Sequence, residues 1–263
     1  MRALMTLVLL LCIGTIVYGN YHWNSKLGAA VEGKVEAVHK NSTATATEVV
    51  DKEESNQSDF RNLPISLVEK LQEKIKNGEV VNLAIIGSEV NALNDDSWST
   101  IFIEEMERTY DGLFNITVTA VQGEVTTRDV VQGNLHLENL KTKPDVVILE
   151  PFLLESNGLI LIEHSLQNIS AIIEDLKAQN PDVFLFLQPA QPIYNAIYYP
   201  DDVEALKSWT EENGYTYIDH WTSWPGYQTD ELKEYIKPES ITPNEKGHEK
   251  WAEFMVNYFT GKE

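Results

Sequence analysis

The chain has 263 residues, with 20 Lys and Arg against 41 Asp and Glu, for a formal net charge of -21 at pH 7. So acidic a surface repels phosphate backbones and anionic headgroups, which argues against nucleic acid or an anionic lipid surface as partners. The hydrophobic fraction of 43% suits an ordinary globular core, and a single cysteine, Cys12, rules out an intramolecular disulfide.

Residues 3 to 18 form an almost uninterrupted apolar run after Arg2, followed by Tyr21, His22 and Trp23 as an interfacial aromatic belt. No small-residue cleavage site follows closely, so an uncleaved signal anchor over residues 1–23 is expected, the alternative being a cleaved signal. Leu11 before Cys12 does not suit a lipoprotein site. Either reading puts the chain from residue 24 onward outside the cytoplasm, held at the cell membrane by the N-terminal helix or secreted if the signal is removed. Residues 24–61 are rich in Ser, Thr, Ala, Glu and Lys, with Thr43 to Thr47 as low-complexity sequence. Such a composition buries too little apolar surface to order itself, so a flexible stalk is expected there. The Asn-x-Ser/Thr triplets at Asn41, Asn56, Asn115 and Asn168 matter only in a glycosylating secretory pathway.

From residue 62 to 263 helix and strand periodicities alternate, the pattern of one parallel sheet covered on both faces. Leu67, Leu71 and Ile75 give a helical stripe, and residues 80–86 a continuous apolar run of the kind a buried parallel strand shows. Ile101, Met106 and Tyr110 mark the next helix, and Phe114 to Val121 the second strand. Gly123 opens a loop in which Thr126 or Thr127 caps a helix start. Residues 144–149 read as the third strand. A long helix through Ile162, Leu166, Ile169, Ile173 and Leu176 ends before Pro181, and the strand from Val183 to Leu187 comes next. A helix through Val203 and Leu206 stops at Asn213-Gly214, a strand runs from Tyr215 to Ile218, and a last helix carries Trp251, Met255 and Tyr258.

Near the C-terminus, Glu239-Ser240-Ile241-Thr242-Pro243-Asn244-x-x-Gly247 resembles the final block of the SGNH (GDSL-type) hydrolases, D-x-x-H-P-N-x-x-G followed by a helix. The resemblance covers roughly residues 64 to 260. It implies a three-layer α/β/α sandwich around a mostly parallel, flavodoxin-like five-stranded sheet, and an ester hydrolase that needs no cofactor or metal. It also marks departures. Glu239 stands where the family has the Asp of its triad, and Thr242 where it has the His that acts as general base, a role Thr cannot fill near neutral pH. Gly87-Ser88-Glu89 falls on the G-D-S block, with Glu89 in the place of the nucleophile and Ser88 in that of the Asp; a one-residue slip would make Ser88 the nucleophile instead. Gly123 is the candidate oxyanion donor of the second block, or simply a turn glycine. In the third block strict register puts Phe152 at the Asn position, while Asn157 re-enters if the loop folds back, or sits in an Asn-Gly turn.

In an open parallel sheet, ligands bind outside the carboxyl ends of the strands. Those loops hold Gly87, Ser88, Glu89, Gly123, Glu150 and His220, with Glu239, Thr242 and Asn244 in the final loop. His220, directly after a strand, is the histidine placed to replace the missing base, unless it is an ordinary loop residue bonded to backbone. Trp221 and Trp224 suit either sugar stacking or core packing. The expectations are three: an esterase acting on acyl or acetyl esters of cell-envelope glycans, or on another small ester, with Ser88 and His220 as a rearranged pair; a module that only binds a glycan or envelope protein; or carboxylate chemistry if Glu89 faces Glu239 or Glu150.

Overall fold

The computed structural model describes residues 60–262. The expected anchor and stalk, residues 1–59, lie outside the described residues, and among those described no helix is long and apolar enough to cross a membrane.

Five strands form one sheet in the order β2-β1-β3-β4-β5, every pairing parallel. In chain order the elements are α1 (Ile65–Asn77), β1 (Val81–Ser88), α2 (Trp98–Tyr110), β2 (Phe114–Val121), α3 (Thr127–Gly133), β3 (Val146–Leu149), the short α4 (Leu153–Ser156), α5 (Ile162–Gln179), β4 (Phe184–Leu187), α6 (Tyr199–Glu212), β5 (Thr216–Tyr217) and α7 (Glu245–Thr260). This is the expected α/β/α sandwich.

Strand alternation divides the core. Val81, Leu83 and Ile85 of β1 pack with α1, α2 and α7, where Trp98, Phe102, Met106, Trp251, Met255 and Phe259 are buried. Ala84 and Ile86 face the other way, onto Val130 of α3, Ile169, Ile173 and Leu176 of α5, and Leu206 of α6. Because side chains alternate across a strand, a run apolar at every position needs helices on both faces, and β1 and β3 have them.

Because β1 sits between β2 and β3, the chain must cross back over β1 after β2, which opens a crevice at the carboxyl ends of β1 and β3. Register puts Ile86 beside Leu149, so Ser88 and Glu150, the residues just beyond, meet in that crevice. The loop before α7 is held there as well. Ile236 bridges to Pro243, and the Gln191 side chain after β4 donates to the Ile241 carbonyl at 2.9 Å.

Candidate active site

β1 ends on Gly87, and a Cβ there would run into the Asn91 amide and lie 2.8 Å from Glu150 Cβ, so only glycine fits. Ser88 follows, 2% exposed. Its hydroxyl donates to Glu150 Oε2 at 2.6 Å and its N–H to the same oxygen at 2.8 Å. The Asn91 amide adds a third hydrogen bond at 3.1 Å, and the Phe152 N–H donates to Oε1 at 3.0 Å. Phe152 is held at φ 59, in the left-handed region, with its ring buried in the core. The third-block loop is therefore shaped around Glu150. Burial pushes the Glu150 carboxyl up, against the pull of its donors Ser88, Phe152 and Asn91.

Glu155, in α4, lies close enough to feel that charge. Burial first, and the Glu150 charge second, push its carboxyl up to about 8, and Oε2 is buried without a well-formed hydrogen bond. The buried Tyr199 phenol is raised by burial and then by both glutamates. Two carboxyls, a phenol and the Ser88 hydroxyl thus form one buried polar group under the crevice.

Glu89 takes the opposite environment. It opens a 3-10 turn, Glu89–Asn91, is exposed, and its Oε2 accepts a long hydrogen bond of 3.4 Å from the Gly123 N–H. Gly123 sits at φ 87 in the loop after β2. The structure thus brings together Glu89, which strict register puts at the nucleophile position of the resembled family, and Gly123, the candidate for its first oxyanion donor. The Asp129 and Thr126 side chains form a reciprocal cap that begins α3 just beyond this loop.

Ser88 and His220 are not paired with each other. His220 is fully buried, stacked on Trp251 with ring centroids 4.2 Å apart. The Trp224 indole N–H donates to Nδ1 at 3.1 Å, which leaves Nε2 as the protonated nitrogen, donating to the Pro189 carbonyl at 2.9 Å. Burial lowers its pKa to about 3, so it is a neutral ring with both nitrogens engaged. Trp224 is buried as well, and the Trp221 indole donates to the Ala190 carbonyl at 2.7 Å while its ring meets Tyr199 edge-on.

In the final loop Glu239 is exposed at φ 57, and the exposed Thr242 hydroxyl lies 2.9 Å from that of Ser240. Asn244 caps α7, accepting from the Gly247 N–H at 3.1 Å and donating to the Glu234 carbonyl at 2.8 Å. Gly247 has no room for a Cβ, which would meet the Tyr235 carbonyl and sit 2.9 Å from Pro243. The Pro-Asn-x-x-Gly sequence is therefore accounted for by helix capping and close packing. Asn157 points to α6, its amide donating to Asp202 at 2.6 Å. His248 accepts from the Trp98 N–H at 3.3 Å, and burial followed by nearby Lys237 lowers its pKa to about 4.

Asn91, Glu155 and Tyr199 escape a motif reading because they meet only through loops that follow different strands. The one local signal is Glu150 itself, a carboxylate directly after four apolar strand residues. Among the described residues no group of three His, Cys, Asp or Glu side chains is gathered to hold a metal ion. A cleft of about 350 Å3 lies at the opposite end of the sheet, between Lys70, Lys74, Glu79 and Asp145. Its lysines are taken, Lys74 by Asp145 at 3.1 Å and Lys70 by the Asp182 carbonyl.

No protein-family profile and no curated protein matches the sequence. Solved structures do. A protein described as lipolytic and of the G-D-S-L family from Desulfitobacterium hafniense superposes with a TM-score of 0.53 at 16% identity, over 68% of this chain and 99% of that one. An esterase from Pseudoalteromonas gives 0.54 at 13%, over 68% and 97%. A catalytic mutant of an acetylxylan esterase from Geobacillus stearothermophilus gives 0.51 at 14%, over 68% and 94%. With the strand order, the crevice and the capped final helix, the likeness gives this chain the SGNH-hydrolase fold in a divergent form.

Proposed function

We propose that this is an SGNH-fold binding module that has given up serine-esterase chemistry, and that its crevice takes an acyl- or acetyl-bearing glycan or another small ester without cleaving it. The observation that carries the reading is the exposed Glu89 carboxylate in front of the Gly123 N–H. An oxyanion hole works by meeting charge that develops in the transition state, and a resident carboxylate already occupies the donor. The serine beside it offers no substitute, because Ser88 is buried with its hydroxyl donating to Glu150, and His220 has no free nitrogen. The esterase and acetylxylan esterase structures of the same fold support an ester-bearing ligand. The N-terminal apolar run and the Ser/Thr-rich stretch after it support a module tethered at the cell membrane, outside the cytoplasm.

Acetylated xylo-oligosaccharides incubated with the full chain test this: saturable binding with every acetyl group intact by mass spectrometry is the expected result. Acetate release above the buffer rate contradicts it.

A second reading, carboxylate chemistry, draws on Glu155, which keeps its proton to about pH 8 and would supply an acid while Glu89 supplies a base. It predicts cleavage of a glycosidic bond that disappears in Glu155→Gln; intact oligosaccharide after prolonged incubation rules it out.

A further inference from the structure

Exposed apolar residues on a soluble domain are ordinary when scattered, and informative when gathered. Here the large ones sit mainly on loops at the carboxyl ends of the strands: Leu93 after β1, Leu159 and Leu161 after β3, Ile197 and Tyr198 after β4, and Ile241 in the final loop. The middle four are 73%, 69%, 75% and 70% exposed. Hydrogen bonds tie three of these loops to one another. Asn157, two residues before Leu159, donates to Asp202 in the first turn of α6, four residues after Tyr198, at 2.6 Å. The Gln191 side chain then joins the β4 loop to the carbonyl of Ile241 itself.

Along the stretch of chain that carries the middle four the charge has one sign, whereas Lys237 stands in the loop of Ile241. Residues 150–176 and 178–206 contain no Lys or Arg, while Glu163, Asp201 and Asp202 flank the exposed apolar positions. We propose that this apolar, acid-flanked rim is a docking surface for a protein partner that presents a basic segment with apolar side chains. The charge decides among occupants. An anionic lipid surface and a second copy of this chain would both bring negative charge against Glu163, Asp201 and Asp202, whereas a basic amphipathic segment pairs with the acids at the rim and buries the leucines, isoleucine and tyrosine at the centre. The surface stands whether or not the crevice cleaves an ester, since it uses neither Glu89 nor Ser88.

The test titrates the full chain with an amphipathic helical peptide of leucine and lysine, and with a second peptide in which serine replaces every leucine at unchanged charge. Saturable one-to-one binding by the first is expected, weakening with added salt and at least about tenfold tighter than the second. The double variant Leu159→Ser with Ile197→Ser should lose about tenfold in affinity. Ile65→Ser with Val80→Ser, exposed positions away from the rim, should lose none, and matching melting temperatures establish that all variants are folded. Equal binding of the two peptides, equal binding by the two double variants, or no saturable binding would overturn the proposal. So would capture by phosphatidylcholine vesicles in place of the peptide, or self-association that Leu159→Ser with Ile197→Ser abolishes.

Discussion

Gly87 and Glu150 are mutually fitted: the glycine leaves the space that the Glu150 side chain and the Asn91 amide fill. Gly87→Ala should therefore cost about 1–3 kcal/mol by overpacking, seen as a lowered urea midpoint, although alanine is ordinarily the better residue away from special backbone angles. Glu150→Ala removes the acceptor for four hydrogen bonds and leaves the buried Ser88, Asn91 and Phe152 donors unmatched. A loss of about 3 kcal/mol or more is expected, with Glu150→Gln intermediate because an amide retains one accepting oxygen. If Glu150→Ala proved neutral in denaturant titration, the polar group under the crevice would not be what shapes the loop. Ser88→Ala should be milder, losing one hydrogen bond.

The final block is explained at the scale of α7. Asn244 satisfies an otherwise orphaned N–H of the first turn, so Asn244→Ala should cost about 1 kcal/mol in thermal or urea unfolding. Farther along the helix, Trp251 is sandwiched between Trp98, at 5.0 Å and nearly parallel, and His220. Trp251→Ala should cost about 3–5 kcal/mol. These contacts show which parts of the molecule a sequence reveals. The Leu67-Leu71-Ile75 stripe and the run from Phe114 to Val121 are local patterns, and they form α1 and β2 with nearly the expected limits. β5 is only Thr216–Tyr217, because an edge strand pairs on one side and its ends are set by the neighbours. The family block is legible because Pro243, Asn244 and Gly247 act within one turn. The pairing of Glu150 with Ser88 across 62 residues, and the approach of Glu155, depend on parallel register that no local period encodes. His220 illustrates the same limit: a histidine after a strand reads alike as base or as core residue, and here Trp224, Trp251 and Pro189 enclose it.

Over the whole molecule, the buried titrating groups make stability depend on pH. Glu155 is raised from 4.5 to about 8, so the folded state holds an extra proton between those values, and stability falls as pH rises from 4.5 to 8 by up to about 1.4 kcal/mol per unit. His220 and His248 are lowered from 6.5 to about 3 and about 4, so the unfolded state takes up their protons first and stability falls as pH drops below 6.5. Above 6.5 the glutamates act without opposition from the histidines, Glu150 being raised in the same direction as Glu155, and below 6.5 the histidines oppose them. Urea midpoints should fall between pH 6.5 and 8, and Glu155→Gln should lessen that fall; a midpoint still rising at pH 8 would contradict the placement of Glu155. The same organisation separates scaffold from chemistry: the sheet and both helical layers are intact while sequence register aligns Glu89 and Thr242 with the reactive positions of the resembled family. The most direct measurement is hydrolysis of p-nitrophenyl acetate by the full chain beside its Ser88→Ala variant. No turnover above buffer is expected in either, whereas turnover that disappears in Ser88→Ala would show that Ser88 leaves Glu150 to act as a nucleophile.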